Sequence, residues 1–296
     1  MKNPDSEKRL SEYRELIERE LEQALYNPET DYTVGEAMRY STLSEGAGGG
    51  KRVRGILTLE FCRVFGADIK KAAPIAAAVE MVQAFSLIHD DLPCMDDDDF
   101  RRGKPSCHKQ YGEAVALLAG DALLAGAFNT VSAAAFLPKS AGGLKSQNVV
   151  SIISALSNAT TEMIKGQQYD MDYERRAVGE LTSEGLLAMY SRKTCALISA
   201  ACVCGAICAN APDKSLHDAR GYGFALGLAF QIADDLLDFN TEKPDKKTIP
   251  VLIGEKKARE LAESYTDIAV KTAEKLPNSN GTFLKELALS LNNRRT

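Results

Sequence analysis

Six aspartates lie within the stretch LIHDDLPCMDDDDFRRGKP, residues 87–105, and two arginines follow them. The stretch ends an apolar run, where neighbouring carboxylates repel one another and none can be buried without a partner. A solvated acidic loop is the simplest interpretation of such a run taken alone. The alternative is a site for multivalent cations, because carboxylate oxygens are hard ligands that suit Mg²⁺.

A second acidic cluster lies in FQIADDLLDF, residues 230–239, which ends another apolar stretch. At about 100° per residue, Asp234 and Asp238 would lie within roughly 40° of each other on one helix face, with Asp235 beside them. One such motif is weak evidence, since acidic pairs occur on many exposed helices. Two clusters on helices too apolar for a surface favour a Mg²⁺ site between them, completed by water and substrate phosphate.

Three groups of basic residues accompany the acidic clusters. They are Lys51, Arg52 and Arg54 in GGGKRVRG, Arg101 and Arg102 after the first acidic cluster, and Arg192 and Lys193 with Thr194 in SRKT. Most surface arginines and lysines only keep a protein soluble. Guanidinium forks beside flexible glycines also suit a diphosphate, and their occurrence with two candidate metal clusters favours that interpretation.

Helical spacing of apolar residues dominates the sequence, and the alternation typical of strands is nearly absent. Glycines and prolines bound predicted helices at about 6–26, 33–43, 51–65, 70–92, 112–136, 147–173, 182–210, 215–239, 254–275 and 281–293. The stretches AAPIAAAVEMVQAFSLI and GYGFALGLAFQIA are apolar almost all round, which predicts central helices of a bundle. We therefore expect an all-α protein in which residues 1–296 form a single domain of about ten helices.

Composition narrows the class of protein. The net charge of −5 argues against binding to nucleic acid. The charged start of the chain shows no signal-peptide pattern, so we expect a cytoplasmic protein. Residues 195–211, CALISAACVCGAICANA, are fewer than the roughly 20 of a membrane span and predict a buried helix, and we expect no membrane partner. The seven cysteines predict reduced core residues, not disulfides or zinc ligands.

Six sequence blocks occur in order across roughly residues 35–275: GGKRVR, SLIHDDLPCMDDDDFRRGKPSCH, GEAVALLAGDALL, GQQYDMD, SRKTCALI and FQIADDLLDF. Together they resemble the signature blocks of the trans-prenyltransferases, the short-chain polyprenyl diphosphate synthases. The four residues between Asp91 and Asp96 are most similar to the motif of bacterial farnesyl diphosphate synthases. The resemblance implies an isoprenoid synthase bundle around a deep central cavity, three Mg²⁺ ions per active site and a homodimer.

The resemblance also implies a reaction. An allylic diphosphate, dimethylallyl or geranyl, joins isopentenyl diphosphate head to tail and gives mainly farnesyl diphosphate and pyrophosphate. Metal ions acting as Lewis acids would draw charge from the leaving group, and the alkene of isopentenyl diphosphate would attack the allylic carbocation. The departing pyrophosphate would take the proton, and apolar helix walls would shelter the cation from water.

By position, the resemblance assigns roles to individual residues. The implied ligands of two Mg²⁺ ions are Asp90, Asp91 and Asp96, and a third ion is led by Asp234 with Asp235 and Asp238 nearby. These carboxylates and Lys193 are the catalytic candidates. Positions that match contacts to the allylic diphosphate are Arg101, Lys193, Thr194 and Gln231. Positions that match the isopentenyl site are Lys51, Arg54, Gln83 and Arg102, with Gln83 where histidine is common. Gln167 and Asp170 match a block near both sites.

Phe85 is the candidate residue for setting product length. It stands five residues before Asp90, where relatives that make farnesyl diphosphate have an aromatic residue. A rise of about 1.5 Å per residue puts it roughly 7.5 Å below Asp90, a depth that suits a stop after a few isoprene units. Phe85 is rotated about 140° from Asp90, so its ring would have to reach the tunnel around the helix flank. An ordinary core phenylalanine is the alternative.

Two departures from the family pattern concern substrate loops. Gly55 stands where the family commonly has proline, which predicts a less rigid isopentenyl loop. The segment DFNTEKPDKKTIPVLIG, residues 238–254, is shorter than its counterparts and leaves Lys243 and Lys247 as candidate lysines of a lid over the allylic diphosphate. Either this lid is truly short or the chain as printed omits a piece.

Other functions stay open on the sequence alone. The same chemistry could end at geranylgeranyl diphosphate. The chain could also be a non-catalytic subunit of a prenyltransferase heteromer, although intact aspartates in both clusters argue against that. Terpene cyclases use aspartate-rich helices and Mg²⁺ as well, but the block GGGKRVRG has no role in them.

Overall fold

The computed structural model describes residues 3–25, 33–43, 50–239, 247–277 and 282–292. Their α-helices are α1 (Pro4–Leu25), α2 (Thr33–Thr42), α3 (Val53–Val64), α4 (Ala73–Asp90), α5 (Cys107–Tyr111), α6 (Glu113–Ala133), α7 (Ser146–Glu174), α8 (Ser183–Tyr190), α9 (Ala196–Cys208), α10 (Asp213–Phe239), α11 (Ile249–Ile253), α12 (Glu255–Lys275) and α13 (Thr282–Asn292). A π-helical turn, Ser191–Cys195, joins α8 to α9. Strands β1 (Phe100–Arg101) and β2 (Lys104–Pro105) form a short antiparallel hairpin between α4 and α5.

Two buried helices carry the acidic clusters. Helix α4 begins with Pro74 in its first turn, where a missing backbone N–H costs nothing, and packs against α1, α3 and α6. It ends at Asp90. Helix α10 packs against α9 and α12 and ends at Phe239, just after the second cluster. Each acidic cluster therefore lies at the end of a largely buried helix.

Small residues let the central helices approach closely. Helix α9, ALISAACVCGAIC, is almost entirely buried. A Cβ added at Gly223 of α10 would lie 2.6 Å from the Cα of Ser199 in α9, closer than any real side chain allows. This contact fixes the position of α10 against α9. Because the π-helical turn directly precedes α9, the position of α10 relative to that turn is fixed as well.

The all-α prediction is confirmed, and most predicted helices match the structure to within a few residues. The predicted helix 182–210 is interrupted by the π-helical turn. The sequence did not predict this turn, because one extra residue in a turn does not alter the apolar pattern visibly. Helices α5 and α11 and the β1–β2 hairpin were missed, since two to five residues are too few to show a period. All seven cysteines are free, and six of them are buried, as predicted.

Two stretches, Glu113–Ala133 and Ser183–Cys208, are long and apolar enough to cross a membrane by length and composition alone. The second contains most of residues 195–211 and is 72% buried in its most apolar window, as expected of a core helix. The first, which is α6, is only 33% buried in that window. Helix α6 therefore leaves an apolar face outside the core.

Candidate active site

The first acidic cluster forms where α4 ends. The loop after Asp90 turns back, so that the Asp96 N–H donates to the Asp90 carbonyl oxygen at 2.9 Å. The carboxylate of Asp90 interacts electrostatically with those of Asp96 and Asp91. The structure thus brings together the three residues that the sequence predicts as ligands of the first motif.

Burial makes these carboxylates costly to ionise. Desolvation raises the pKa of Asp90 to about 7, although Lys193 opposes the shift. Burial also raises the pKa values of Asp91 and Asp96. Desolvated carboxylates that repel one another are stabilised by a divalent cation, so this donor set fits one.

The raised pKa of Asp90 predicts a proton linkage. Because its folded pKa of about 7 exceeds the ordinary 3.8, the folded metal-free protein holds an extra proton between these values and loses stability as pH rises through that window. A cation that binds Asp90 must displace this proton. Mg²⁺ affinity should therefore fall as pH drops below about 7. Calorimetric titrations in two buffers of different ionisation enthalpy should show proton release at pH 7, and equal heats in both would contradict this.

Arg101, in β1, is the partner of Asp91. Its Nε lies 3.0 and 3.2 Å from the two Asp91 carboxylate oxygens, and its Nη2 donates to Asp91 and, at 2.9 Å, to Asp98. Asp91 is 2% exposed, so this fork satisfies a buried charge. The guanidinium therefore lies beside the carboxylates, where it can reach an anion bound through a cation.

The π-helical turn places Lys193 against the same cluster. Its Nζ donates to Asp170 of α7. Burial alone would lower the pKa of Lys193, but the carboxylates of Asp170, Asp90 and Asp96 raise it above its ordinary value, so the ammonium stays charged. The turn packs on Gly166, where an added Cβ would overlap the Lys193 backbone nitrogen. Such π-helical turns are frequent at functional sites.

Gln167 extends the cluster from α7. Its Nε2 donates to Asp96 Oδ1 at 3.3 Å, while its Oε1 is buried and has no hydrogen-bond partner in the described part of the chain. Gln167 therefore contacts the first cluster, and Asp170 contacts Lys193 beside it.

The second acidic cluster contains one buried and two partly exposed carboxylates. Asp235 is buried; Tyr190 donates to its Oδ2 at 2.5 Å, and the Ile249 N–H donates to the same oxygen at 3.3 Å. These bonds join α10 to α8 and α11, so Asp235 fixes the end of α10. Asp234 and Asp238 are partly exposed on the same helix.

Thr194 and Gln231 link the π-helical turn to α10. The Thr194 hydroxyl donates to Gln231 Oε1 at 2.9 Å, and Gln231 Nε2 donates to Asp235 at 3.4 Å. The residues predicted to contact the allylic diphosphate thus form two groups. Arg101 and Lys193 lie at the first cluster, where Arg101 contacts Asp91 and Lys193 interacts electrostatically with Asp90 and Asp96. Thr194 and Gln231 lie at the second cluster, where Gln231 contacts Asp235.

A cavity of about 230 Å³ lies beside the first cluster. Its lining includes all four residues predicted for the isopentenyl site, Lys51, Arg54, Gln83 and Arg102, and apolar side chains of Ile198, Leu226, Phe230 and Leu291. Burial lowers the pKa of Arg54, and Arg54 Nε has no hydrogen-bond partner among the described residues. Arg54 is half-buried, and a buried Nε donor that has no partner favours an anionic ligand there.

The β1–β2 hairpin connects this cavity with the acidic cluster. Arg101 contacts Asp91, whereas the next residue, Arg102, has a left-handed φ of 55° and lies against Gly50. A Cβ added at Gly50 would lie 2.6 Å from Arg102 Nη1. Adjacent arginines of one hairpin therefore reach two neighbouring sites.

Arg52 and Glu80 form the wall of the cavity, a role that the sequence analysis missed. Arg52 donates through Nε to Glu18 at 2.6 Å and through Nη2 to the Thr42 carbonyl oxygen at 2.5 Å, and its Nη1 lies 3.6 Å from Glu80 Oε2. Both side chains are buried. The available signal was Glu80 itself, a carboxylate in the middle of the apolar α4 that needs a buried partner.

Gly55 completes this wall. Its N–H donates to Glu80 Oε1 at 2.7 Å, a bond that proline could not make. The glycine that departs from the family pattern therefore has its own anchor. An added Cβ would also lie 2.8 Å from Ile17 Cδ1.

Gly55→Pro is expected to unfold more easily than Gly55→Ala. Both variants crowd Ile17, but only proline removes the bond to the Glu80 carboxylate, which leaves a buried charge poorly satisfied. The difference in free energy of unfolding should be about 1–3 kcal/mol in denaturant titrations. Equal stability of the two variants would show that this bond contributes nothing.

Of the two candidate lid lysines, only Lys247 lies within the described residues, and it contacts the end of α7. Lys247 Nζ donates to the carbonyl oxygens of Tyr173 and Glu174, at 3.0 and 2.6 Å, so it caps the end of α7. Lys243 lies outside the described residues. His89 faces α6, with Nε2 3.0 Å from the Leu117 carbonyl oxygen, and not the carboxylates.

Comparison with known proteins identifies the family of the chain. The Polyprenyl synthetase family matches residues 35–251. Farnesyl diphosphate synthase of Bacillus subtilis is 36% identical over 90% of both chains. The large subunit 1 of a chloroplastic heterodimeric geranylgeranyl pyrophosphate synthase of Arabidopsis thaliana is 39% identical over 84% of this chain and 68% of its own length. The chain spans about two thirds of the length of the plant relatives that it matches.

A solved structure shows the same fold. The apo FPP/GFPP synthase of Zymomonas mobilis superposes with a TM-score of 0.85 and 32% identity, over 96% of this chain and 97% of that chain. The helical fold is that of the isoprenoid synthases, and the protein is a prenyltransferase. The chain belongs to the polyprenyl synthetase family.

Proposed function

We propose that this prenyltransferase condenses isopentenyl diphosphate with dimethylallyl or geranyl diphosphate and releases mainly farnesyl diphosphate and pyrophosphate. The observation that carries the proposal is the β1–β2 hairpin, whose adjacent Arg101 and Arg102 reach the carboxylate cluster and the basic cavity respectively. Two neighbouring sites, one with a cluster of carboxylates that can hold a cation and one lined mainly by basic side chains, suit two diphosphates with different roles.

The carboxylates fit Mg²⁺ as the cofactor. The donors are hard oxygens, and burial raises the pKa values of Asp90, Asp91 and Asp96, which a cation would relieve. We assign these three residues, with Asp234 on α10, as ligands of three ions. When bound, Mg²⁺ supplies Lewis-acid stabilisation of charge on the leaving pyrophosphate.

The protein's own groups then position and stabilise the reactants. The Lys193 ammonium and the Arg101 fork would neutralise the allylic diphosphate as its carbon–oxygen bond breaks and the electron pair leaves with pyrophosphate. Lys51, Arg54 and Arg102 would hold the second diphosphate, and Gln83 would donate beside them. The new carbon–carbon bond forms from the alkene of isopentenyl diphosphate, which loses one proton to the departing pyrophosphate. The apolar residues of the cavity would exclude water.

Farnesyl diphosphate as the product is supported by Phe85. This residue is 4% exposed and its ring packs edge-on against His89, with centroids 5.7 Å apart. His89 contacts Gly120 of α6, and Met81, one turn before Phe85, contacts Gly126 of α6. Phe85 thus lies in a column of α4 that faces α6, where a bulky ring can close the space between these helices. The named relatives include both farnesyl and geranylgeranyl synthases, so the residue itself must be tested.

Phe85→Ala is expected to shift the product towards C20 or longer, with the first condensation little affected, because the floor of the tunnel opens. Phe85→Leu should give an intermediate shift and protects the test if the alanine variant folds poorly. Phe61→Leu, a fully buried ring elsewhere, is the matched control and should keep the wild-type products. Chromatography of the dephosphorylated products measures chain length. An unchanged spectrum in the folded Phe85 variants would show that another helix sets the length.

We also propose a homodimer. Helix α6 is apolar but mostly outside the core, with Leu117 47% and Leu118 54% exposed, and Val150 and Ile164 of α7 are exposed as well. A second copy would cover such a surface. The plant relative is named as a subunit of a heterodimer, so sedimentation velocity of the purified chain alone decides whether it pairs with itself.

A further inference from the structure

A second group of potential metal ligands flanks the β1–β2 hairpin. Asp97 and Asp99 precede the hairpin and His108, in α5, follows it; one ligand atom from each lies within 4.8 Å of the others. None of the three has a role in the proposed reaction. We call these three residues the hairpin cluster.

His108 is the member that points to a ligand. Its side chain is 3% exposed, its Nε2 lies 3.9 Å from Asp97 Oδ1, and Nε2 finds no hydrogen-bond partner among the described residues. A buried imidazole nitrogen that bonds to nothing is costly. Its other nitrogen, Nδ1, lies 3.1 Å from Ser106 Oγ. With the proton on Nδ1 and directed to Ser106, the lone pair of Nε2 faces the carboxylates, as in histidines that bind metals.

The hairpin cluster has different contacts from the first acidic cluster, although His108 interacts electrostatically with Asp91. Asp96 contacts Gln167 of α7, whereas Asp97 has a left-handed φ of 49° and approaches α5. The Ser106 N–H donates to the Asp99 carbonyl oxygen at 2.9 Å, which closes the hairpin and holds its two sides together. Adjacent aspartates therefore serve different neighbours.

Lys109 is the charged group that competes for this cluster. Its Nζ lies 2.8 Å from Asp99 Oδ1. Both side chains are largely in water, with Lys109 42% and Asp99 62% exposed, so the ion pair is easily exchanged for other partners. Asp98 is occupied separately by Arg101.

We propose that the hairpin cluster binds one divalent cation of the Zn²⁺ type through His108 Nε2 and one carboxylate oxygen each of Asp97 and Asp99, with water completing the shell. Imidazole with carboxylates suits Zn²⁺ better than Mg²⁺, which prefers oxygen alone. Such an ion would link the two ends of the hairpin that carries Arg101 and Arg102 and would stabilise its conformation. The proposed Zn²⁺ site does not depend on the proposed function. Only the effect of a bound ion on substrate binding by Arg101 and Arg102 rests on that function.

The test is a Zn²⁺ titration of the full chain, labelled with ¹⁵N in histidine and saturated with Mg²⁺. The chain has three histidines, His89, His108 and His217, so three ring systems appear in long-range ¹H–¹⁵N spectra. Loss of one system in His108→Gln assigns that residue. The ring nitrogens of His108 are expected to shift at micromolar Zn²⁺ while the other two stay in place.

Matched variants make the result decisive. The exposed pair Asp97→Asn with Asp99→Asn should abolish the shift, Asp98→Asn should keep it, and Lys109→Met should lower the Zn²⁺ concentration needed for half saturation. The double variant also serves if His108→Gln does not fold, because it alters only exposed side chains. No shift of any ring with Zn²⁺ in the wild type, or an equal shift in the double variant, would overturn the proposal.

Discussion

Asp90→Asn is expected to lower kcat for condensation by about 10³-fold or more while the helical fold is retained. The substitution removes one carboxylate of the cluster proposed to bind Mg²⁺. Weaker Mg²⁺ binding would in turn weaken the stabilisation of charge on the leaving pyrophosphate. The substitution removes no packing. Because burial already raises the pKa of Asp90 to about 7, a neutral side chain of the same shape should leave the free energy of unfolding unchanged or slightly higher.

The matched control is Asp213→Asn, an exposed carboxylate at the first turn of α10, which should keep wild-type kinetics. Steady-state kinetics with Mg²⁺ and thermal unfolding by circular dichroism measure the two effects separately. An Asp90→Asn protein with near-normal kcat, or one that no longer folds, would contradict the assignment of Asp90 as a metal ligand.

Lys193→Met is expected to reduce kcat/KM for the allylic diphosphate by about 10²–10³-fold, in the range found when a preorganised donor is removed from a developing negative charge. Its ammonium contacts Asp170 and interacts with Asp90 and Asp96, so it is held beside the place where the diphosphate would bind. The variant keeps all carboxylates and loses a neighbouring positive charge. Its affinity for Mg²⁺ should therefore be equal to or higher than that of the wild type.

This opposite response of substrate and metal separates Lys193 from a structural residue. Lys193→Arg should recover part of the activity. Arginine restores the positive charge, but its planar guanidinium does not have the compact shape of the lysine ammonium. Lys165→Met, an exposed lysine of α7 that pairs with Glu162, is the control and should change neither quantity. If Lys193→Met bound Mg²⁺ more weakly and kept its kcat/KM, the lysine would support the metal site only.

The fold was predictable because its helices are long and their apolar residues recur at helical spacing. The same holds for the site residues named by motif: the six blocks lie far apart in the chain, yet Asp90, Asp96 and Lys193 meet in the structure. The cavity likewise unites Lys51, Arg54, Gln83 and Arg102. Buried helices that end in charge must place that charge at the mouth of the bundle, and this constraint is visible in one sequence.

What the sequence could not supply was the set of partners that fix these residues. In the sequence, Arg52 looks like one more basic residue of GGGKRVRG. In the structure it is buried among Glu18, Thr42 and Glu80, where it stabilises the cavity wall. The sequence does not distinguish Asp235 from its neighbour Asp234, but in the structure Asp235 accepts a hydrogen bond from Tyr190. The π-helical turn that aims Lys193 has no sequence period. Such choices depend on which side of a helix meets its neighbour, which only tertiary packing decides.

The most direct test of the proposed reaction is incubation of the purified wild-type protein with Mg²⁺, isopentenyl diphosphate and either dimethylallyl or geranyl diphosphate, followed by identification of the products by chain length. Farnesyl diphosphate is expected as the main product from either allylic substrate, with one pyrophosphate released per condensation and no product after chelation or without isopentenyl diphosphate. A protein that forms no longer prenyl diphosphate under these conditions, or that converts the allylic diphosphate alone into a hydrocarbon, would contradict the proposed reaction.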